Sequence, residues 1–118
     1  GSFTRDMATA SGTQTVSVLT GTPERIFVMC HRPNTPETSH GMSNSTTDSC
    51  LFDDSPNTAN SWDTDTDSAI RIQQSADAGA DIYEGDLGNF VSGAFDVVWT
   101  RTDAPTGTMT CIYEALGN

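Results

Sequence analysis

Phe95-Asp96-Val97-Val98-Trp99-Thr100 places three large apolar side chains, Phe95, Val97 and Trp99, at alternate positions. A period of two is the signature of a β-strand with one covered face. Thr102-Asp103-Ala104-Pro105-Thr106-Gly107 interrupts it, and Met109, Cys111, Tyr113 and Ala115 resume it against Thr108, Thr110 and Glu114. Two such runs around a turn predict a β-hairpin. Its proline and glycine lie outside the strands, where a missing amide hydrogen and a positive φ are tolerated.

Working outward, Ile26-Phe27-Val28-Met29-Cys30 runs without a polar break, so residues 25–31 are expected to form a central strand with both faces covered. Residues 13–20 alternate through Val16 and Val18, residues 68–74 through Ile70 and Ile72 with Arg71 opposite, and a shorter strand is expected at Ile82 and Tyr83. Residues 32–49 are mostly polar and are expected to be a long connection that leads into a weak strand over 45–52. Residues 53–67 carry Trp62 as their one bulky apolar residue. Connections of that length in a small domain tend to be binding loops or interface arms.

Leu, Ile, Val and Phe fill only 20 of 118 positions, and a sheet, which buries alternate residues, uses so few more economically than a helix bundle. Ser and Thr fill 30 positions, and Gly and Pro punctuate the chain as short strands and turns require. The expectation is one all-β domain over 1–118, an antiparallel β-sandwich of about seven or eight short strands, jelly-roll-like or H-type-lectin-like. Gly1-Ser2 resembles the remnant of a cleaved tag. No run of about 18 apolar residues predicts a membrane span, and no basic-then-apolar leader predicts secretion. Sixteen acidic residues against five arginines and no lysine give a net charge of −11, which disfavours binding to nucleic acid or an anionic membrane and fits a solvating coat.

Cys30, Cys50 and Cys111 form an odd set without a CxxC spacing, which argues against a disulfide framework and a zinc site. Cys30 and Cys111 lie in apolar runs and read as small buried hydrophobes of a chain folding in a reducing cytoplasm, with one bridge left open. Strand alternation turns His31 away from Cys30, which separates any thiol and imidazole pair and leaves His31 and His40 without a metal-binding pattern. Asp63, Asp65 and Asp67 are weak calcium candidates, because Ser68 stands where a calcium loop needs glycine and Gln74 where it needs glutamate. No GxSxG, P-loop, GxGxxG or HExxH motif occurs, so neither enzyme activity nor a cofactor is expected. The candidate ligand or interface residues are Trp62, Asp63, His31 and Arg32. Trp62 suits a loop anchor, a subunit contact or a sugar platform, while Trp99 belongs to the core stripe.

Three stretches carry a resemblance: residues 3–14, which include Thr4-Arg5-Asp6 and Thr9-Ala10-Ser11-Gly12-Thr13-Gln14, the strand 25–29, and residues 95–108. They resemble a family of small bacteriophage virion proteins with an opening of the type TRDxxTASGTQ and a closing segment close to FxLxWTxTxxPTGT. Val97 stands at the leucine of that closing pattern, residues 18–23 are compressed, and 32–67 does not align. The resemblance implies a β-sandwich displayed on a virion as a homo-oligomer, with a trimer favoured, and made in the cytoplasm of a bacterial host. The implied role is that of a tail-fibre or capsid-decoration protein, acting by binding to virion proteins and to itself, and the resemblance does not choose between the two; a short chain without a separate anchoring domain favours capsid decoration or cement. The alternatives are a receptor-binding tail-fibre domain and a free lectin that binds a host glycan.

Overall fold

The computed structural model describes residues 1–17, 20–54, 62–75 and 80–117. These residues form ten strands: β1 (Ser2–Asp6), β2 (Gly12–Ser17), β3 (Pro23–His31), β4 (Thr38–Ser43), β5 (Asp48–Asp53), β6 (Trp62–Asp65), β7 (Ile70–Gln73), β8 (Ile82–Val91), β9 (Ala94–Thr102) and β10 (Thr108–Gly117). Two antiparallel sheets result, a six-stranded one in the order β1-β10-β3-β4-β5-β6 and a four-stranded one in the order β2-β9-β8-β7. The all-β sandwich read from composition is therefore the fold.

Alternation predicts correctly which side chains enter the core. Phe95, Val97 and Trp99 from β9 and Met109 and Cys111 from β10 are buried, together with Ile26 and Val28 of β3 and Ile70 and Ile72 of β7. Each large side chain so covered is worth about 2 kcal/mol by area. Aromatic edges tie the layer together, with Phe95 and Tyr113 ring centroids 5.1 Å apart and those of Tyr83 and Trp99 5.2 Å apart. The polar ends of these rings are satisfied. Trp99 Nε1 donates to Gln14 Oε1 at 3.0 Å, and the Tyr83 hydroxyl accepts from Arg5 Nε at 2.8 Å and donates to the Thr9 carbonyl at 3.1 Å.

The expected hairpin of β9 and β10 does not form. β9 pairs with β2 and β8 in one sheet, whereas β10 pairs with β1 and β3 in the other. Both strands turn their odd positions into one core from opposite sides. Alternation reports which face is covered and carries no information on which strand lies alongside. The intervening residues instead carry the chain from one sheet to the other, held where Thr106 N donates to Gln74 Oε1 and Met7 N to the Gly107 carbonyl, both at 2.9 Å. The tight hairpin is β8–β9, where Val91 pairs with Ala94 across Ser92-Gly93 and Gly93 takes φ of 83°.

Other expectations also shift. β5 is the weak strand expected over 45–52, whereas β4 divides the supposed connection over 32–49 and β6 lies within 53–67, so neither stretch is one long loop; residues 55–61 and Val18 and Leu19 fall outside the described residues. Gly1 and Ser2 belong to the fold: the Gly1 ammonium donates to the Tyr113 carbonyl at 2.8 Å, and Ser2 pairs with Ile112. Cys30 and Cys111 are not free. They stand directly opposite each other in the β3–β10 register with Cα atoms 4.1 Å apart and are joined as a disulfide across 81 residues of sequence. Strand order, invisible in the sequence, is what brings them together. Gly41 on β4 shows how closely the sheets approach, since a Cβ there would collide with the Ala69 carbonyl oxygen just before β7.

Candidate functional site

β3 is central, as expected, but only one of its faces is covered. Ile26, Val28 and Cys30 are buried, while Phe27 is 42% and Met29 46% exposed. Among the described residues the chain supplies the apolar side chains of the second face and no layer that covers them.

Pairing registers extend that face across the sheet. Ile112, Met29, His40, Leu51 and Thr64 form one row over β10, β3, β4, β5 and β6, and Glu114, Phe27, Met42 and Ser49 form the next. Met42 is 43%, Leu51 47% and Ile112 52% exposed. Phe27, Met29, His40, Met42 and Leu51 line a shallow trough of about 610 Å³. Single exposed apolar residues are ordinary on a protein surface, whereas a contiguous group on adjacent strands marks a contact surface. The centre of these rows carries no carboxylate, and Glu114 lies at their margin.

Trp62 extends the face to the sheet edge. It is 51% exposed, lies on β6 and not in a loop, and meets the His40 ring edge-on with centroids 5.8 Å apart. Together with Leu51 they border a second hollow of about 450 Å³. A sugar platform also needs polar groups beside the ring. Alternation on β6 turns Asp63 to the face opposite Trp62, and the Asp63 carboxylate accepts the Thr64 amide at 2.7 Å. On its own face Trp62 stands beside His40 and Leu51, with Asp53 directly across from it in the β5–β6 register and Thr64 two residues along its own strand.

The remaining sequence candidates separate. His31 is exposed at the end of β3, between Thr110 and Thr38, on the same outer face. Arg32 is committed to Glu37, with Nη1 3.0 Å from Oε1, and so closes the bend between β3 and β4. Asp65 faces the other way, toward the seam between the sheets, where Arg71 Nη1 contacts Asp65 Oδ2 at 2.9 Å and Glu84 Oε1 at 2.8 Å. The Arg71 guanidinium also lies 4.6 Å from the Phe52 ring centroid. Burial acts to raise the Asp65 carboxyl, but amide hydrogen bonds from Asp67 and Ser68 and the Arg71 charge outweigh it and hold the carboxyl below its ordinary value. Asp63, Asp65 and Asp67 thus do not converge, and no metal-holding group of three acidic, histidine or cysteine side chains gathers among the described residues. The Cys50 thiol is buried, which pushes its pKa up to about 11 and leaves it protonated and unreactive.

Leu51, Met42 and Ile112 were not singled out by sequence reasoning. Their signal was present: Ile112 breaks the polar side of the run over 108–114, and Leu51 adjoins Phe52, so one of the two must face outward. Comparison with known proteins yields no matching family model, no matching curated protein and no matching solved structure.

Proposed function

We propose that this chain acts by binding and not by turnover, as a surface module of a bacteriophage virion that serves in capsid decoration or cement. The observation that carries the binding role is the apolar outer face of the six-stranded sheet, left uncovered among the described residues, on a protein whose net charge is −11. Leaving such a face in water costs free energy that a contact recovers, so a binding role explains its presence and an isolated monomer does not. The virion setting is supported by the resemblance of the chain's two ends to small phage structural proteins. It is also consistent with the buried Cys30–Cys111 bridge, which persists in an oxidising exterior. The test is co-sedimentation of the purified protein with expanded phage capsids, followed by heating or dilution of the particles. Binding with increased particle survival is the expected outcome; failure to bind expanded capsids, together with binding to host cells, would move the protein to a tail tip.

A second reading, a glycan-binding tip or lectin, is favoured by Trp62, whose exposed ring borders the hollow beside His40 and Leu51. A glycan array that gives binding lost in Trp62→Ala supports it, and an array without signal removes it.

A further inference from the structure

We infer that the outer face of the six-stranded sheet is a self-association surface, covered by the same face of a second copy of this chain in a two-fold pair. This rests on the binding reading above and names the partner and symmetry that it leaves open.

Three observations lead to a second copy. The first is area. Phe27, Met29, Met42, Leu51, Trp62 and Ile112 are each about half exposed and adjoin one another on one face. They present on the order of 600 Å² of side-chain surface, against about 800 Å² per partner in a stable complex, and a polar rim such as Thr64, Ser49 and Thr110 supplies the difference. The second is charge. A basic partner would seek carboxylates, which on this face stand at the margins, Glu114 on β10 and Asp53 paired with Trp62, whereas two chains of charge −11 approach at least cost through a centre that carries none.

The third observation is that the face has no counterpart. Among the described residues the other exposed large apolar side chains are Leu116, at the rim of this same face, and Val91 and Val98 on the smaller sheet. A closed ring built from head-to-tail contacts needs two different complementary surfaces, while a two-fold pair needs one surface that complements itself. Sheets pack face to face about 10 Å apart with strands rotated by about 30°, and the row of Met29 and Leu51 beside that of Phe27 and Met42 offers ridges for such packing. Met29 and Met42 are flexible enough to adjust to their own copies.

The experiment measures mass by sedimentation equilibrium across protein concentration and salt, for the native chain, Met29→Glu, Leu51→Glu and Val98→Glu, with far-UV circular dichroism to confirm folding. Val98 is 46% exposed on the other sheet and serves as a control of equal exposure. The expected result is a two-copy mass for the native chain and for Val98→Glu, with association weakened about thirtyfold or more in Met29→Glu, as for a central contact residue. If Met29→Glu loses its fold, Leu51→Glu decides on β5. Added salt should tighten the native pair by screening the like charges. A one-copy or three-copy native mass, dissociation by Val98→Glu, or a folded variant of this face that stays paired overturns the inference. A two-copy protein that ignores capsids refutes only the virion role, and a capsid-binding protein of one-copy mass refutes only the pairing.

Discussion

Asp48 opens β5 with one carboxylate oxygen accepting the Leu87 amide at 2.9 Å, while the other, Oδ1, is buried without a partner. Burial raises its pKa above the ordinary value of 3.8, against a hydrogen bond from Ser43 and the Leu87 amide, and the nearby Asp86 charge adds to the rise. A carboxyl raised by folding binds its proton more tightly in the native state, so the stability it allows is fully present below the unfolded value and is lost as pH climbs through the folded one. Asp48→Asn keeps an acceptor for Leu87 and removes the buried charge. The variant is expected to be at least as stable as the native chain at pH 7 in urea melts, with the difference closing as pH falls toward 3.8. A variant less stable at pH 7 would show that the hydrogen bonds to the charged oxygens outweigh desolvation. Asp65 works in the opposite sense: its carboxyl is lowered, so the stability it contributes is present above its unfolded value and is lost as pH falls through the folded one.

Strand pairing decides what each element contributes. The Cys30–Cys111 bridge ties β3 to β10 at the middle of the larger sheet and closes a loop across 81 residues, for which chain-entropy reasoning gives about 4.5 kcal/mol. The double variant Cys30→Ala and Cys111→Ala is expected to unfold at markedly lower denaturant concentration than the oxidised chain, and reductant should move the native chain the same way. Equal midpoints with and without reductant would show that the sheet does not depend on the bridge. Little of this was legible in advance. The alternation of Phe95, Val97 and Trp99 and of Met109 and Cys111 announced buried faces, but the partners of those strands depend on contacts between residues far apart in sequence, and β9 and β10 lie in different sheets. β4 was hidden because Ser39 and Ser43, buried polar residues at its inward positions, and Gly41, which must admit the Ala69 carbonyl, replace the apolar residues that an alternation search seeks. The outer face was half legible. The unbroken apolar run of β3 demanded cover on both sides, and only the fold reveals that the described chain covers one.

At the scale of the molecule, charge and the bare face act against each other. Sixteen acidic residues face five arginines, of which Arg32 and Arg71 are already held in ion pairs, so the chain cannot neutralise its acidic excess. That repulsion opposes both the folded chain and the approach of a second copy, and it is screened over about 10 Å at 0.1 M salt and about 3 Å at 1 M. Raising sodium chloride from about 0.01 M to about 0.5 M is therefore expected to raise the Tm of the native protein by several degrees. Two contributions can be separated by comparing the native chain with Met29→Glu over a range of protein concentrations. Repulsion within one chain raises Tm in both proteins, independently of concentration. Strengthened pairing adds a further rise in the native protein alone, and that part grows with protein concentration because only the folded state pairs. A Tm that falls with salt in both proteins would mean that the ion pairs of Arg32 and Arg71 outweigh the acidic excess. The face itself carries no charge at its centre, so its contribution should survive the salt that removes the repulsion.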